Sequence, residues 1–137
     1  MRAYLSRRYV LSASHRLYSE AYSDEKNLAV YGKCSNPHGH GHNYTIEVTV
    51  GGQVDPVTGM VYDLKALKDV LNREIVDPMD HRFLNYEVPP FDKVVPTVEN
   101  VAIEIWRRLA PHFSETVRLK NVRLFETEDL YVDYAGE

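Results

Sequence analysis

The chain has 137 residues, 44% hydrophobic and 26% charged, a balance that suits one domain, residues 1–137, with a modest core. Its net charge of −4 argues against nucleic acid or a membrane surface as a partner engaged through bulk charge. No apolar run is long enough for a signal-peptide core or a bilayer span, and a single cysteine, Cys34, excludes an intrachain disulfide, so the expected location is the cytoplasm.

Residues 2–15 read as a strand, with Leu11, Ala13 and His15 on one face by the two-residue period. Residues 16–39 mix Ser, Asn, Gly, Pro and both charges without sustained periodicity and read as a long loop, a length that points to function. Alternation returns over 40–51, where Ile46, Val48 and Val50 face one way and Thr45, Glu47 and Thr49 the other. Asp55 to Gly59 reads as a turn. The period then lengthens: Leu64, Leu67, Leu71 and Ile75 predict a helix over 63–76, capped by Asp63 and ended by Asp77-Pro78. Thr97 caps a second predicted helix with the stripe Val98, Val101, Ala102, Ile105 and Leu109, stopping at Pro111. Strands at roughly 116–126 and 129–135 follow as a hairpin. The sum is an α+β plan, a four-stranded antiparallel sheet with two helices on one face. Its open sheet edges favour association into a closed oligomer.

The segment from Gly32 to Tyr44 is the richest in chemistry. His38, His40 and His42 fall within five positions, half of the six histidines in the chain. His40 and His42 project from one strand face and can hold one metal ion, with His15, at the end of another strand, as a third ligand. Three neutral imidazoles leave a fourth tetrahedral position open, the arrangement of a catalytic zinc site. His38 stands to His40 as His40 stands to His42, so spacing does not choose between the pairs. Cys34 admits three roles: a fourth ligand, an inert thiol, or a general base, with a nearby metal and Lys33 lowering its pKa. Asp80-His81 pairs a carboxylate with an imidazole, although neighbours on an extended segment point apart. Glu126 shares the strand face of Val122 and Leu124, where a carboxylate requires a partner; two adjacent N–H donors of a ligand would serve.

Ser12-Ala13-Ser14-His15-Arg16-Leu17, Gly32-Lys33-Cys34, His40-Gly41-His42-Asn43-Tyr44, Asp55-Pro56, Thr58-Gly59-Met60, Asp80-His81, Glu99-Asn100-Val101-Ala102 and Glu126-Thr127 occur in order along the chain. In these strings the chain resembles the 6-pyruvoyltetrahydropterin synthase family, from about Arg8 to the end. The resemblance implies the tunnelling fold, in which three subunits close their sheets into a barrel and two trimers form a homohexamer. It implies a zinc-dependent lyase of tetrahydrobiopterin biosynthesis that converts 7,8-dihydroneopterin triphosphate to 6-pyruvoyltetrahydropterin and triphosphate. By the same resemblance His15, His40 and His42 are the zinc ligands and Cys34 is the proton acceptor. Asp80 and His81 form an acid–base relay supplied by a neighbouring subunit, and Glu126 anchors the pterin with Thr97 beside it. Pro96, Val98 and His38 depart from the family pattern. The related 6-carboxytetrahydropterin synthases of queuosine biosynthesis carry three residues between the cysteine and the histidine pair, whereas five separate Cys34 from His40. A non-catalytic pterin or metal binder on the same fold would have no need of Cys34, Asp80, His81 and Glu126 together.

Overall fold

The structure, a computed structural model, describes residues 1–137. Strands β1 (Arg2–His15) and β2 (His40–Gln53) pair antiparallel along their whole length, from Arg2 opposite Gln53 to His15 opposite His40. Between them lie helix α1 (Asp24–Tyr31) and a 3₁₀ turn over Gly32–Ser35. Helix α2 (Leu64–Leu71) runs through a π turn at Asn72–Val76 into α3 (Asp77–Met79). Next come β3 (Arg82–Phe83), α4 (Leu84–Glu87), the long helix α5 (Val98–Leu109), β4 (Val117–Thr127) and β5 (Leu130–Tyr134). The sheet order is β3-β1-β2-β4-β5, antiparallel except that β3 runs parallel to β1.

The two-residue periods place the core where the sequence predicts it. Leu11, Ala13, Ile46, Val48, Val50, Val122 and Leu124 are buried on one sheet face. Against them pack Leu67, Leu71 and Ile75 of the first helical run and Val101, Ala102, Ile105 and Leu109 of α5. Asp63 caps α2 through Lys65 N–H and Ala66 N–H, and Thr97 caps α5 through Asn100 N–H. No helix is long and apolar enough to cross a membrane.

Three expectations are corrected. The sheet has five strands rather than four, because β3 contributes two rungs beside Ala13 and Ser14, too short a run to show a period. The 16–39 segment is not all loop. Ser23 caps α1 through Lys26 N–H, and the only buried residue of that helix is Asn27, so no apolar stripe announced it. The Asn27 amide orders the segment instead, donating to the Ser19, Tyr22 and Ser23 carbonyls and accepting from Ser19 N–H. Finally, Asp77-Pro78 does not stop the first helical run. The π turn shifts the hydrogen-bond ladder before Pro78, and the chain remains helical to Met79.

Candidate metal centre and its surroundings

The β1–β2 pair builds a triangle of imidazoles at its open end. His15 lies directly across from His40, and His42, two residues further along the same face, lies across from the small Ala13. Ring centroids stand 4.8 Å (His15–His40), 4.9 Å (His15–His42) and 4.9 Å (His40–His42) apart, each pair edge to face. One ligand atom from each lies within 4.8 Å of the others. His15 Nε2 and His40 Nε2 approach to 3.2 Å, close to the roughly 3.3 Å between nitrogens that share a tetrahedral ion at about 2 Å. His38, exposed on the turn before β2, is not part of the triangle.

The donors are prepared electrically. His15 is fully buried, and burial, against the opposing pull of the Pro96 carbonyl, lowers its pKa to about 4. Burial also lowers the pKa of His42. Both imidazoles are therefore neutral near pH 7, the state a metal requires. With Nε2 facing the triangle, His15 Nδ1–H donates to the Pro96 carbonyl at 3.0 Å, fixing the tautomer. His42 Nε2 is buried and has no hydrogen-bond partner. Glu126 Oε1 lies 3.3 Å from it but is not aligned for a hydrogen bond. An orphaned buried nitrogen on one of three clustered imidazoles, beside a carboxylate, fits a bound cation.

Glu126 continues the buried face of Val122 and Leu124, with its side chain 13% exposed. The β4–β5 register slips between Phe125 and Thr127, so Glu126 sits at a bulge. Cys34, half-buried in the 3₁₀ turn, has its thiol pushed up by burial and then by the Glu126 carboxylate. Lys33 is exposed and is not among the groups that shift the Cys34 thiol. Gly39 shapes the turn leading to His40. Its φ is +69°, and a Cβ there would meet the Phe83 ring at 2.7 Å and the His15 carbonyl oxygen at 2.9 Å.

Asp80 and His81 do touch, contrary to the extended-segment expectation, with His81 Nδ1 3.0 Å from Asp80 Oδ2. The reason is a φ of +60° at His81, which turns the ring back on its neighbour. The pair is docked on β1: Ser12 N–H donates to Asp80 Oδ1 at 2.9 Å, and His81 N–H donates to the Ser12 carbonyl at 2.6 Å. The Ser12 N–H, then the His81 contacts, hold the Asp80 carboxyl below its usual range. The His81 side chain is 81% exposed and makes no hydrogen bond to the histidine triangle or to Glu126. Thr97 is the cap of α5, next to the residue whose carbonyl holds His15.

Two groups at the centre were not singled out from sequence. Tyr44 continues the His40, His42 period and is 1% exposed, with its hydroxyl 3.1 Å from His15 Nδ1. Burial, then the nearby Glu126 and Cys34, push its phenol well up, so it stays protonated. The Pro96 carbonyl acts through the backbone, and a contact made by main chain leaves no mark on residue type.

Fold and site together define an α+β protein with a three-imidazole centre suited to a catalytic metal. The chain belongs to the 6-pyruvoyl tetrahydropterin synthase family, which residues 4–137 match. It is 52% identical over 135 residues to the 6-pyruvoyl tetrahydrobiopterin synthase of Pongo abelii, covering 98% of this chain and 92% of that protein. The Homo sapiens protein of the same name is 50% identical over 135 residues, with the same coverage. Caenorhabditis elegans 6-pyruvoyl tetrahydropterin synthase superposes with a TM-score of 0.94 at 40% identity, covering 100% of this chain and 97% of that one.

Proposed function

We propose that the chain catalyses conversion of 7,8-dihydroneopterin triphosphate to 6-pyruvoyltetrahydropterin, releasing triphosphate, with zinc held by His15, His40 and His42. The observation that carries this reading is the imidazole triangle with the Glu126 carboxylate against His42, in a chain of this family. The triangle closes on His40 rather than His38, which keeps five residues between Cys34 and the first β2 histidine and favours the pyruvoyl product over the 6-carboxy one.

Lewis-acid polarisation of the substrate's side-chain oxygens is the chemistry a zinc ion supplies there. The protein's own groups do the rest. Glu126 accepts two adjacent N–H donors of the pterin, a bidentate charge-assisted pair that orients the ring, with Thr97 beside it. Cys34, which a bound zinc would favour as thiolate against the upward push of burial and Glu126, takes a proton from the substrate side chain while triphosphate leaves with its bonding electrons. Asp80 and His81 return protons; the side chain is oxidised as the dihydropterin ring is reduced, so the electrons balance within one molecule. The docked Asp80 keeps His81 oriented through the 3.0 Å contact.

The family resemblance implies that the relay serves a neighbouring subunit's site, and the exposure of His81, with no hydrogen bond to the triangle of its own chain, is compatible with that reading. That assignment favours the barrel trimer and a homohexamer, in the cytoplasm, where the lone Cys34 thiol stays reduced. The test is triphosphate release by the purified protein after chelation and after zinc is restored. Loss of release on chelation and recovery with zinc supports the proposal; no release under either condition sinks it.

A further inference from the structure

The segment that ties Cys34 to the histidine triangle, Arg16-Leu17, is itself held by Asn85, a residue with no part in the chemistry above. Asn85 lies in α4, just beyond the two parallel rungs that pair β3 with Ala13 and Ser14 of β1. Backbone pairing stops there because the chain turns helical at Leu84. The Asn85 side chain makes the next rung itself. Its Oδ1 accepts from Arg16 N–H at 2.8 Å, and its Nδ2 donates to the Arg16 carbonyl at 2.9 Å. Only a primary amide offers a donor and an acceptor side by side without charge.

Arg16 and Leu17 pass that constraint on. Leu17 N–H donates to the Cys34 carbonyl at 2.7 Å, and Arg16 Nε donates to the Ser35 carbonyl at 2.9 Å. Arg16 directly follows His15, and Phe83, two residues before Asn85, packs its ring against Gly39 in the turn that leads to His40. One short segment therefore braces the chain on either side of the triangle and, through residues 16 and 17, the loop that carries the thiol.

We infer that Asn85 is a positioning residue, setting where the Cys34 sulfur stands relative to the three-imidazole centre. The inference rests on Cys34 being the proton acceptor. A displacement of about 1 Å at a reacting group costs up to roughly a hundredfold in rate, and the two Asn85 hydrogen bonds hold the Arg16 backbone from which the thiol loop is tied.

The experiment compares wild type with Asn85→Ala, both zinc-loaded, by zinc content, by the rate of iodoacetamide alkylation at the single cysteine, and by kcat and KM for triphosphate release. The expected result is unchanged zinc per chain, an alkylation rate changed at least fivefold, and a kcat at least tenfold lower with KM within twofold. Alkylation and kcat both within twofold of wild type overturn the inference, as does zinc loss with alkylation unchanged, the mark of a merely structural role. Asn85→Asp, which keeps the acceptor for Arg16 N–H, carries the same comparison if the alanine variant does not fold. A wild-type protein that releases no triphosphate refutes the functional reading, while the alkylation comparison still decides the role of Asn85.

Discussion

Acidification of the metal-free protein should destabilise it through His15. This side chain is fully buried, and its pKa falls from 6.5 to about 4 on folding, chiefly through burial. Above pH 6.5 the proton is absent from both folded and unfolded chains. Between 6.5 and about 4 the unfolded chain takes it up and the folded chain does not, so stability falls as pH drops through that window. From pH 7 to pH 5 the loss is about 2 kcal/mol, or roughly 7 °C in melting temperature for a chain of this length. The assay is a difference, so that contributions from the rest of the chain cancel. Chelator-treated wild type and His15→Asn are melted at both pH values and at one chain concentration, since association itself shifts melting. Asparagine retains an N–H for the Pro96 carbonyl and does not titrate. The wild type should lose more stability than the variant by about the stated amount. Equal losses in the two proteins would refute the claim that His15 is held neutral by burial.

Removing one corner of the triangle should abolish tight metal binding: His40→Ala and His42→Ala should each weaken zinc affinity by more than a hundredfold in chelator competition, whereas His38→Ala should change it by less than about threefold. Cys34→Ala should keep one zinc per chain and lose at least a hundredfold in kcat; loss of zinc instead would make Cys34 a ligand. Asp80→Asn and His81→Ala should each lower kcat at least tenfold while sedimentation shows an unchanged assembly. A change of assembly without a change in kcat would assign the pair to subunit packing.

How much of this was legible depended on whether a residue's role follows a period. The β1 and β2 faces alternate over many residues, so the core and the shared face of His15, His40 and His42 could be read directly, as could Tyr44 had the period been carried one step further. Helix α5 announced itself by its stripe and its Thr97 cap. Helix α1 could not, because a buried amide rather than an apolar face organises it. The two-residue β3 is shorter than any detectable period. The Asp80–His81 contact depends on a left-handed φ at a residue other than glycine, which sequence seldom marks. The Pro96 carbonyl and the Asn85 rung act on or through backbone, where side-chain pattern carries no signal. At Pro96 the carbonyl makes the contact with His15, so the side chain at that position is free to vary without losing it.

The fate of the substrate side chain is tested most directly by the mass of the pterin product. Incubating the zinc-loaded protein with 7,8-dihydroneopterin triphosphate should yield a tetrahydropterin that retains all three side-chain carbons, together with free triphosphate. A product carrying a one-carbon carboxyl group at that position, or an unaltered substrate, would contradict the account.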